Sequence, residues 1–317
     1  MLIAILQIVS GFLMLLGGGE LLVRGAVGIS KKLGLSPLLI GLTVVAFATS
    51  SPELIVSITS ALQGAQDLSV GNIVGSNIAN ILLILGASAL ITPIFVKGKE
   101  VRRDCWVMIG ASVALTFVSQ FGIIPRIVGG LFILAIVVYV FLSYRAEKCD
   151  SSEEAEAEAV EELNDAPNSL ALSLVFLGVG LAGLIIGSNF LIKGATTIAE
   201  AWGVSQAVIG LTIVAIGTSL PELAASVISA AKGHSEMAIG NVVGSNIFNI
   251  LLILGATSVI KPIHVNMHMA HFDMFIMVAV SLLTALLLVR RERLTRFAGV
   301  LFIAAYIAYT CYLYVGL

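Results

Sequence analysis

The chain has 317 residues, of which 58% are hydrophobic and only 11% are charged. Its mean hydropathy of +1.06 excludes a water-soluble globular domain, and nothing in the composition indicates a nucleic-acid partner. The formal net charge of −2 says little about partners, because in a membrane protein the distribution of charge matters more than its sum. The composition predicts a protein that crosses a lipid bilayer several times.

Hydrophobic runs long enough to cross a bilayer, about 20 residues each, predict ten transmembrane helices. They lie at 3–23, 36–62, 69–93, 105–121, 125–144, 170–194, 205–231, 237–260, 272–289 and 297–315. The first run lacks a basic start and a small-residue cleavage site, so we expect a retained helix and not a signal peptide. The expected fold class is an all-α polytopic membrane protein.

The hydrophilic stretch RAEKCDSSEEAEAEAVEELNDAPNS separates the fifth run from the sixth. Its acidic side chains could sense a cation, but a solvated and flexible loop is the simpler interpretation. We therefore expect a first five-helix repeat at 1–145, an acidic linker at 146–168 and a second five-helix repeat at 169–317. The linker is too short to fold a regulatory domain.

The two halves repeat each other. A shift of 169 residues aligns IGLTVVAFATSSPEL with IGLTIVAIGTSLPEL, and GNIVGSNIANILLILGA with GNVVGSNIFNILLILGA. Because each half holds an odd number of predicted spans, the second half must enter the membrane in the opposite orientation. The sequence thus predicts ten transmembrane helices arranged as two inverted five-helix repeats.

The positive charges test this arrangement independently. Of the 17 Lys and Arg residues, all except Arg126, Lys193 and Lys261 fall on one side of the predicted topology. Positively charged loops stay in the cytoplasm. We therefore expect a multi-pass protein of the cell (inner) membrane, with a cytoplasmic linker and both termini outside.

Polar side chains predicted at membrane depth come in repeat-related pairs. A threonine and a glutamate four residues apart share one helix face with an adjacent serine, and a second helix carries asparagine and serine at intervals of four. In the first half these residues are Thr49, Ser50, Glu53, Asn72, Ser76 and Asn80, and in the second half they are Thr218, Ser219, Glu222, Asn241, Ser245 and Asn249. Interhelical hydrogen bonding is the alternative role for Ser76, Asn80, Ser245 and Asn249.

Pro52 and Pro221 lie inside these segments and remove backbone donors, so the helices should break and free nearby carbonyls. Carboxylate, hydroxyl, amide and carbonyl oxygens suit hard cations such as Na⁺, Ca²⁺ or Mg²⁺. Glu53 and Glu222 together would neutralise one divalent ion, and Ca²⁺ fits better than Mg²⁺, which dehydrates reluctantly. Because buried carboxylates cost several kcal/mol when left uncompensated, an emptied site should refill with Na⁺ or protons, which predicts exchange.

The paired ATSSPE/GTSLPE and GNIVGSNIAN/GNVVGSNIFN motifs resemble the two inverted repeats of the sodium/calcium exchanger branch of the cation/calcium antiporter superfamily, in its compact prokaryotic form. The resemblance implies a Na⁺/Ca²⁺ antiporter working by alternating access, not an enzyme, with no cofactor besides the transported ions and no obligate protein partner. It implies that Glu53 and Glu222 are the central ligands. The remaining ligands would be Thr49, Ser50, Thr218, Ser219, Ser76, Asn80, Ser245 and Asn249, with the carbonyls of Ala46 and Ala215.

One position departs from part of that family. Some members carry Asp where this chain has Asn249, whereas Asn80 and Asn249 match each other here. The proton/calcium branch tends to place another glutamate in this helix, and neither 71–80 nor 240–249 contains one, which favours Na⁺ as the coupling ion. An H⁺/Ca²⁺ antiporter is the alternative. A cation channel would need a continuous pore, and an intramembrane hydrolase would need a base at membrane depth.

Two further groups have structural interpretations. Glu20 and Arg24 are spaced for an ion pair along one helix. His264, His268 and His271 have a spacing that could suit a metal, but exposed loop residues are the simpler expectation.

Overall fold

The structure is a computed structural model that describes residues 1–150, 167, 169–203 and 215–315. The first half contains α1 (Leu2–Leu33), α2 (Pro37–Ile40), π1 (Gly41–Val45), α3 (Ala46–Thr49), α4 (Ser51–Leu62), α5 (Gln66–Ala79), π2 (Asn80–Leu85), α6 (Gly86–Ile91), β1 (Ile94–Phe95), α7 (Gly98–Ser119), β2 (Ile123–Ile124) and α8 (Arg126–Asp150). The second half contains α9 (Leu170–Ala201), α10 (Ala215–Thr218), α11 (Leu220–Ala231), α12 (Ser235–Phe248), π3 (Asn249–Leu254), α13 (Gly255–Ile260), β3 (Ile263–His264), α14 (Met267–His271), α15 (Asp273–Leu286), π4 (Leu287–Arg291), β4 (Arg293–Leu294) and α16 (Arg296–Val315).

Seven helices of the described residues are long and apolar enough to cross a membrane. They are Leu2–Leu33, Gln66–Ile91, Arg126–Glu147, Leu170–Ala201, Ser235–Ile260, Met267–Arg291 and Arg296–Leu313. The pair Pro37–Thr49 and Ser51–Leu62, bent by 44°, is an eighth span if it crosses as one unit. The prediction of a helical membrane protein with several apolar helices is confirmed.

Two of the ten predicted spans remain predictions. The run at 105–121 falls on α7, whose first two turns are rich in charged residues. The run at 205–231 begins in residues 204–214, which lie outside the described residues, and ends on the shorter apolar helix Leu220–Ala231. Most of the predicted linker, 151–166 and 168, also lies outside them.

A glycine seam joins α1 to α9. A Cβ atom added at Gly11 would lie 2.7 Å from the carbonyl oxygen of Gly187, and one added at Gly18 would lie 2.9 Å from that of Gly180. As the contact advances seven residues along α1 it retreats seven along α9, so the two helices run antiparallel. Glycine is required here because any side chain would strike the backbone of the opposite helix.

Two short antiparallel strand pairs tie the halves together. In the first, Ile94 pairs with Leu294, and in the second, Ile124 pairs with Ile263. Residue 94 corresponds to 263 under the 169-residue shift, and residue 294 corresponds to 124 under a shift of 170, so one strand pair is the repeat image of the other. Similar image pairs recur in the core, where Tyr139 donates to Asp104 at 2.9 Å and Tyr309 donates to Asp273 at 2.8 Å.

Candidate cation site

The two helix breaks place the predicted acids at the start of a new helix. Helix α3 ends at Thr49, Ser50 takes φ −81° and ψ 6°, and α4 begins at Ser51 with Pro52 in its first turn. The second half repeats this geometry, with Ser219 at φ −88° and ψ 7° before α11. The break predicted from proline is therefore present in both halves. Each break gathers a helix C-terminus and the next helix N-terminus at one place, as in many transporter ion sites.

Glu53 and Glu222 are brought together by hydrogen bonds that cross between the halves. Ser50 Oγ donates to Glu222 Oε1 at 3.0 Å, and Ser219 Oγ donates to Glu53 Oε1 at 3.4 Å. Both glutamates are 1% exposed. Each carboxylate is therefore held by the serine that precedes the other carboxylate in its own helix break.

Several oxygen atoms of these acids and of the other predicted ligands are buried without a hydrogen-bond partner. Within the described residues they include Glu53 Oε2, Glu222 Oε2, Asn80 Oδ1, Asn249 Oδ1 and Ser245 Oγ. A buried acceptor without a donor costs about 1 to 3 kcal/mol, and two buried carboxylates without a counter-charge cost more. A cation coordinated by these oxygens would remove that cost. Glu53 and Glu222 supply two negative charges here, and within the described residues no three His, Cys, Asp or Glu side chains form a metal-ligand group.

The remaining predicted ligands of the first half differ in their hydrogen-bond partners. Ser76 Oγ is 3.5 Å from Ser219 Oγ. Thr49 Oγ1 donates to Asn241 Oδ1 at 3.2 Å. The carbonyl oxygen of Ala46 accepts from Ser50 N at 3.0 Å and lies 3.4 Å from Thr49 Oγ1, so it is engaged by its own helix.

In the second half, the matching residues lie on α10. This short helix begins at Ala215 and ends at Thr218, which is half-buried and has an interaction partner. Ala215 and Thr218 therefore occupy at the second break the positions that Ala46 and Thr49 occupy at the first.

Asn72 and Asn241 have a packing role. Asn72 Nδ2 donates to Ser57 Oγ at 3.1 Å, and Asn241 Nδ2 donates to Ser226 Oγ at 2.8 Å. Each of these asparagines therefore fastens its helix to the bent helix that carries the glutamate of the same half. For these two residues interhelical hydrogen bonding describes the geometry.

Sequence reasoning missed Asn77 and Asn246. Both are fully buried, and they exchange hydrogen bonds across the halves, since Asn77 Nδ2 donates to the carbonyl of Asn246 and Asn246 Nδ2 donates to that of Asn77, each at 3.3 Å. They stand directly after Ser76 and Ser245, off the stripe spaced by four that guided the prediction. The repeated GSN triplet was the available signal.

The sequence also gave no indication of the π-helical turns. The segments π2 and π3 begin at Asn80 and Asn249, the two predicted amide ligands. A π-helical turn widens the helix by one residue and is found frequently at functional sites. Here it starts at the same ligand position in both halves.

The two peripheral groups lie away from the site. The side chains of His264, His268 and His271 are exposed and form no metal-ligand group of three. Glu20 and Arg24 form the predicted ion pair, with Oε1 and Nε 2.6 Å apart, and Lys232 Nζ lies 2.6 Å from the same Glu20 oxygen. This third partner connects α1 to the end of α11.

Comparisons with known proteins agree on one family. The family model described as "Sodium/calcium exchanger protein" matches residues 3–145 and 172–315. The chain is 35% identical over 317 residues to inner membrane protein YrbG of Escherichia coli, covering 99% of this chain and 98% of that protein. It is 33% identical over 338 residues to the sodium/calcium exchanger MaX1 of Methanosarcina acetivorans, covering 96% of each. The structure of the sodium-calcium exchanger NCX_Mj soaked with zero Na⁺ and Ca²⁺ superposes with a TM-score of 0.84 at 31% identity, covering 98% of this chain and 99% of the other.

Proposed function

The chain belongs to the sodium/calcium exchanger protein family, and from that premise we propose that it exchanges Na⁺ for Ca²⁺ across the membrane by alternating access. The family consists of transporters that need no cofactor, only the transported ions. One observation carries the proposal, namely that Glu53 and Glu222, both 1% exposed, are each bonded by the serine of the other half's helix break and each keep one carboxylate oxygen without a partner. Buried acids without a counter-charge are the signature of a cation path.

Charge explains why the two ions would compete. Two ionised carboxylates match the charge of one Ca²⁺ or of two Na⁺. Ca²⁺ takes 6 to 8 oxygen ligands in flexible geometry, and the predicted ligands offer carboxylate, amide, hydroxyl and carbonyl oxygens. A site left without either ion would hold uncompensated charge in the membrane and would resist reorientation. Exchange then follows because the protein reorients only with one of the two ions bound.

Na⁺ is the proposed coupling ion. A proton-coupled site would be served by a further acid near the ligands, and the described residues of α5 and α12 contribute asparagine and serine there instead. The names of the relatives point the same way, since MaX1 and NCX_Mj are called sodium/calcium exchangers. The alternative, H⁺/Ca²⁺ exchange, is an outcome of the test below.

The proposed architecture is two five-helix repeats of opposite orientation, at 1–145 and 169–317, joined by a cytoplasmic linker at 146–168 with both termini outside. Three observations support it. The family model matches the chain in two separate stretches, the strand pairs are images of each other, and the serine to glutamate bonds cross reciprocally between the halves. Alternating access would arise if α1 and α9, joined by their glycine seam, slide over the rest of the bundle.

A Ca²⁺ flux measurement in proteoliposomes tests the function. Purified protein is reconstituted, and ⁴⁵Ca²⁺ uptake is driven by an outward Na⁺ gradient at equal pH, or by a pH gradient without Na⁺. We expect uptake with the Na⁺ gradient alone. Uptake with the pH gradient alone would show that H⁺, and not Na⁺, is the coupling ion. Uptake that needs no counter-ion gradient would indicate a channel.

The Glu20 ion pair offers a test of the sliding movement. Glu20 of α1 bonds Lys232 at the end of α11, whereas the repeat-equivalent residues Asn189 and Gln63 carry no charge. If α1 slides past α11, this ion pair must break in each cycle. Because half-exposed ion pairs contribute up to about 1 kcal/mol, Glu20→Gln is expected to raise the Ca²⁺ turnover rate about two- to five-fold.

The matched control for Glu20→Gln is Glu100→Gln. It removes the ion pair between Lys97 and Glu100, at 3.5 Å, and changes the contact of Glu100 with Glu236 of α12, and neither interaction involves α1. The control should leave turnover unchanged. An unchanged or lower turnover rate in Glu20→Gln, with normal protein yield, would contradict the claim that the ion pair between Glu20 and Lys232 breaks during transport.

A further inference from the structure

We propose that Asn77 and Asn246 are positioning residues that orient the ligand amides of Asn249 and Asn80 so that their oxygen atoms face the cation. The inference rests on the proposed cation site and adds two residues to it. It follows from a reciprocal network of four asparagines in the centre of the molecule.

The network joins each ligand amide to the opposite half. Asn80 Nδ2 donates to Asn246 Oδ1 at 3.0 Å, and Asn249 Nδ2 donates to Asn77 Oδ1 at 2.9 Å. Because the nitrogen of each ligand amide donates a hydrogen bond within this network, the oxygen of the same amide remains free to bind a cation. Asn80 Oδ1 and Asn249 Oδ1 are both buried without a hydrogen-bond partner.

The positioning residues are themselves fixed in orientation. Asn77 Nδ2 donates to the backbone carbonyl of Asn246, and Asn246 Nδ2 donates to that of Asn77, each at 3.3 Å. A backbone carbonyl can only accept, so it selects the nitrogen of each positioning amide. The oxygens of Asn77 and Asn246 therefore point the other way, toward the ligand amides. Both residues are at most 1% exposed, so no solvent competes for these bonds.

This orientation matters because the two ends of an amide have the same shape and opposite polarity. If the Asn80 amide turned over, its NH₂ group would face the cation, one ligand would be lost, and a positive dipole end would oppose binding. Sterics alone would not prevent the turn. The acceptor oxygen of Asn246 does, since it accepts a hydrogen bond from Nδ2 and would repel Oδ1.

The network also makes each half depend on the other. The ligand amide of the first half is oriented by Asn246 of the second half, and that of the second half by Asn77 of the first. A state in which α5 and α12 separate would release both amides together. Cation affinity therefore depends on the contact between the two halves at this level.

A double-mutant cycle on Ca²⁺ binding tests the inference. The dissociation constant for Ca²⁺ is measured by equilibrium ⁴⁵Ca²⁺ binding in detergent for wild type, Asn246→Leu, Asn80→Ala and the double variant. Removing a residue that orients a metal ligand typically weakens metal affinity about 10- to 100-fold, and we expect that loss for Asn246→Leu. In the Asn80→Ala background, Asn246→Leu should cause no further loss, because the amide that it orients is gone.

The image cycle, Asn77→Leu with Asn249→Ala, should behave in the same way. Asn189→Leu is the control, because Asn189 is exposed and its side chain donates to the Ile185 carbonyl of its own helix, at 2.9 Å. It should bind Ca²⁺ like wild type. Thermal unfolding in detergent checks that each variant is folded. If Asn246→Leu does not fold, Asn246→Asp replaces it in the cycle. The neutral carboxyl group of the buried aspartic acid keeps an acceptor oxygen for Asn80 and an O–H donor for the Asn77 carbonyl, so Asn246→Asp should not weaken Ca²⁺ binding.

The outcomes separate this inference from the proposed function. Wild-type affinity in Asn246→Leu, additive losses in both cycles, or weakened Ca²⁺ binding in Asn246→Asp would overturn the positioning role. Absence of Na⁺-driven uptake by wild type would instead overturn the proposed exchange, and the binding cycle would still decide the role of the asparagines.

Discussion

Replacing Glu53 with glutamine is expected to lower Na⁺-driven Ca²⁺ uptake about 100-fold or more, and Glu222→Gln is expected to do the same. Glutamine keeps the shape and one oxygen of the side chain but removes a negative charge, so bound Ca²⁺ would retain an uncompensated positive charge. A charge buried at the centre of a membrane helix costs about 3 kcal/mol, which corresponds to that fold-change. Uptake of ⁴⁵Ca²⁺ into proteoliposomes measures the effect.

Asp67→Asn is the matched control for both glutamine variants. Asp67 is exposed in the first turn of α5, the helix that also carries Ser76, and it lies outside the carboxylate cluster. Its substitution should leave uptake at the wild-type level. Uptake near the wild-type rate in Glu53→Gln or Glu222→Gln would remove that glutamate from the cation site.

Replacing Gly18 with valine is expected to destabilise the protein by ~3 kcal/mol and to abolish transport. A Cβ at Gly18 would lie 2.9 Å from the carbonyl oxygen of Gly180 and from the amide nitrogen of Leu184, both backbone atoms that no side-chain movement can relieve. Overpacking a well-packed contact typically costs 1 to 3 kcal/mol, and here α1 and α9 would have to separate. Thermal unfolding in detergent and Ca²⁺ uptake measure the two effects.

Gly17→Val provides the comparison at the neighbouring residue. A Cβ at Gly17 would meet no atom within 4 Å. It carries the same loss of glycine and the same added volume, so it isolates the contribution of the seam. Equal destabilisation of the two variants would show that helix propensity, and not the approach of α1 to α9, explains the glycine at position 18.

The residues that could be predicted are those whose chemistry conflicts with their surroundings. A glutamate, a proline and a run of hydroxyl side chains are unfavourable inside an apolar transmembrane segment unless they have a function. The same residues recur 169 positions later, which strengthens the prediction of a functional site. The helix breaks at Pro52 and Pro221 follow from the missing backbone donor. The reciprocal bonds of Ser50 with Glu222 and of Ser219 with Glu53 agree with the repeat, because equivalent polar residues of the two halves avoid the lipid by facing each other.

The features that could not be predicted depend on contacts between distant segments. A spacing of four residues placed Asn72 on the same stripe as Ser76 and Asn80, but Asn72 instead fastens α5 to Ser57 of the bent helix. Asn77 lies one residue off that stripe, and only the packing of α5 against α12 brings it to Asn246. The π-helical turns at Asn80 and Asn249 have no sequence signature of their own.

Ion pairs of charged residues could likewise be predicted only within one helix. The spacing of Glu20 and Arg24 predicted their ion pair, since both lie on one helix. Lys232 joins it from more than 200 residues away in the sequence, as the pair of Lys232 Nζ with Glu20 Oε1. No local pattern indicates such a partner.

The location of a bound cation tests the central claim most directly. Crystals soaked with Sr²⁺, a heavier substitute for Ca²⁺, would reveal the ion by its anomalous scattering. We predict one Sr²⁺ peak within coordination distance of carboxylate oxygens from both Glu53 and Glu222, weakened when Na⁺ is added. A Sr²⁺ peak bound by other residues, with none between these two glutamates, would contradict the claim.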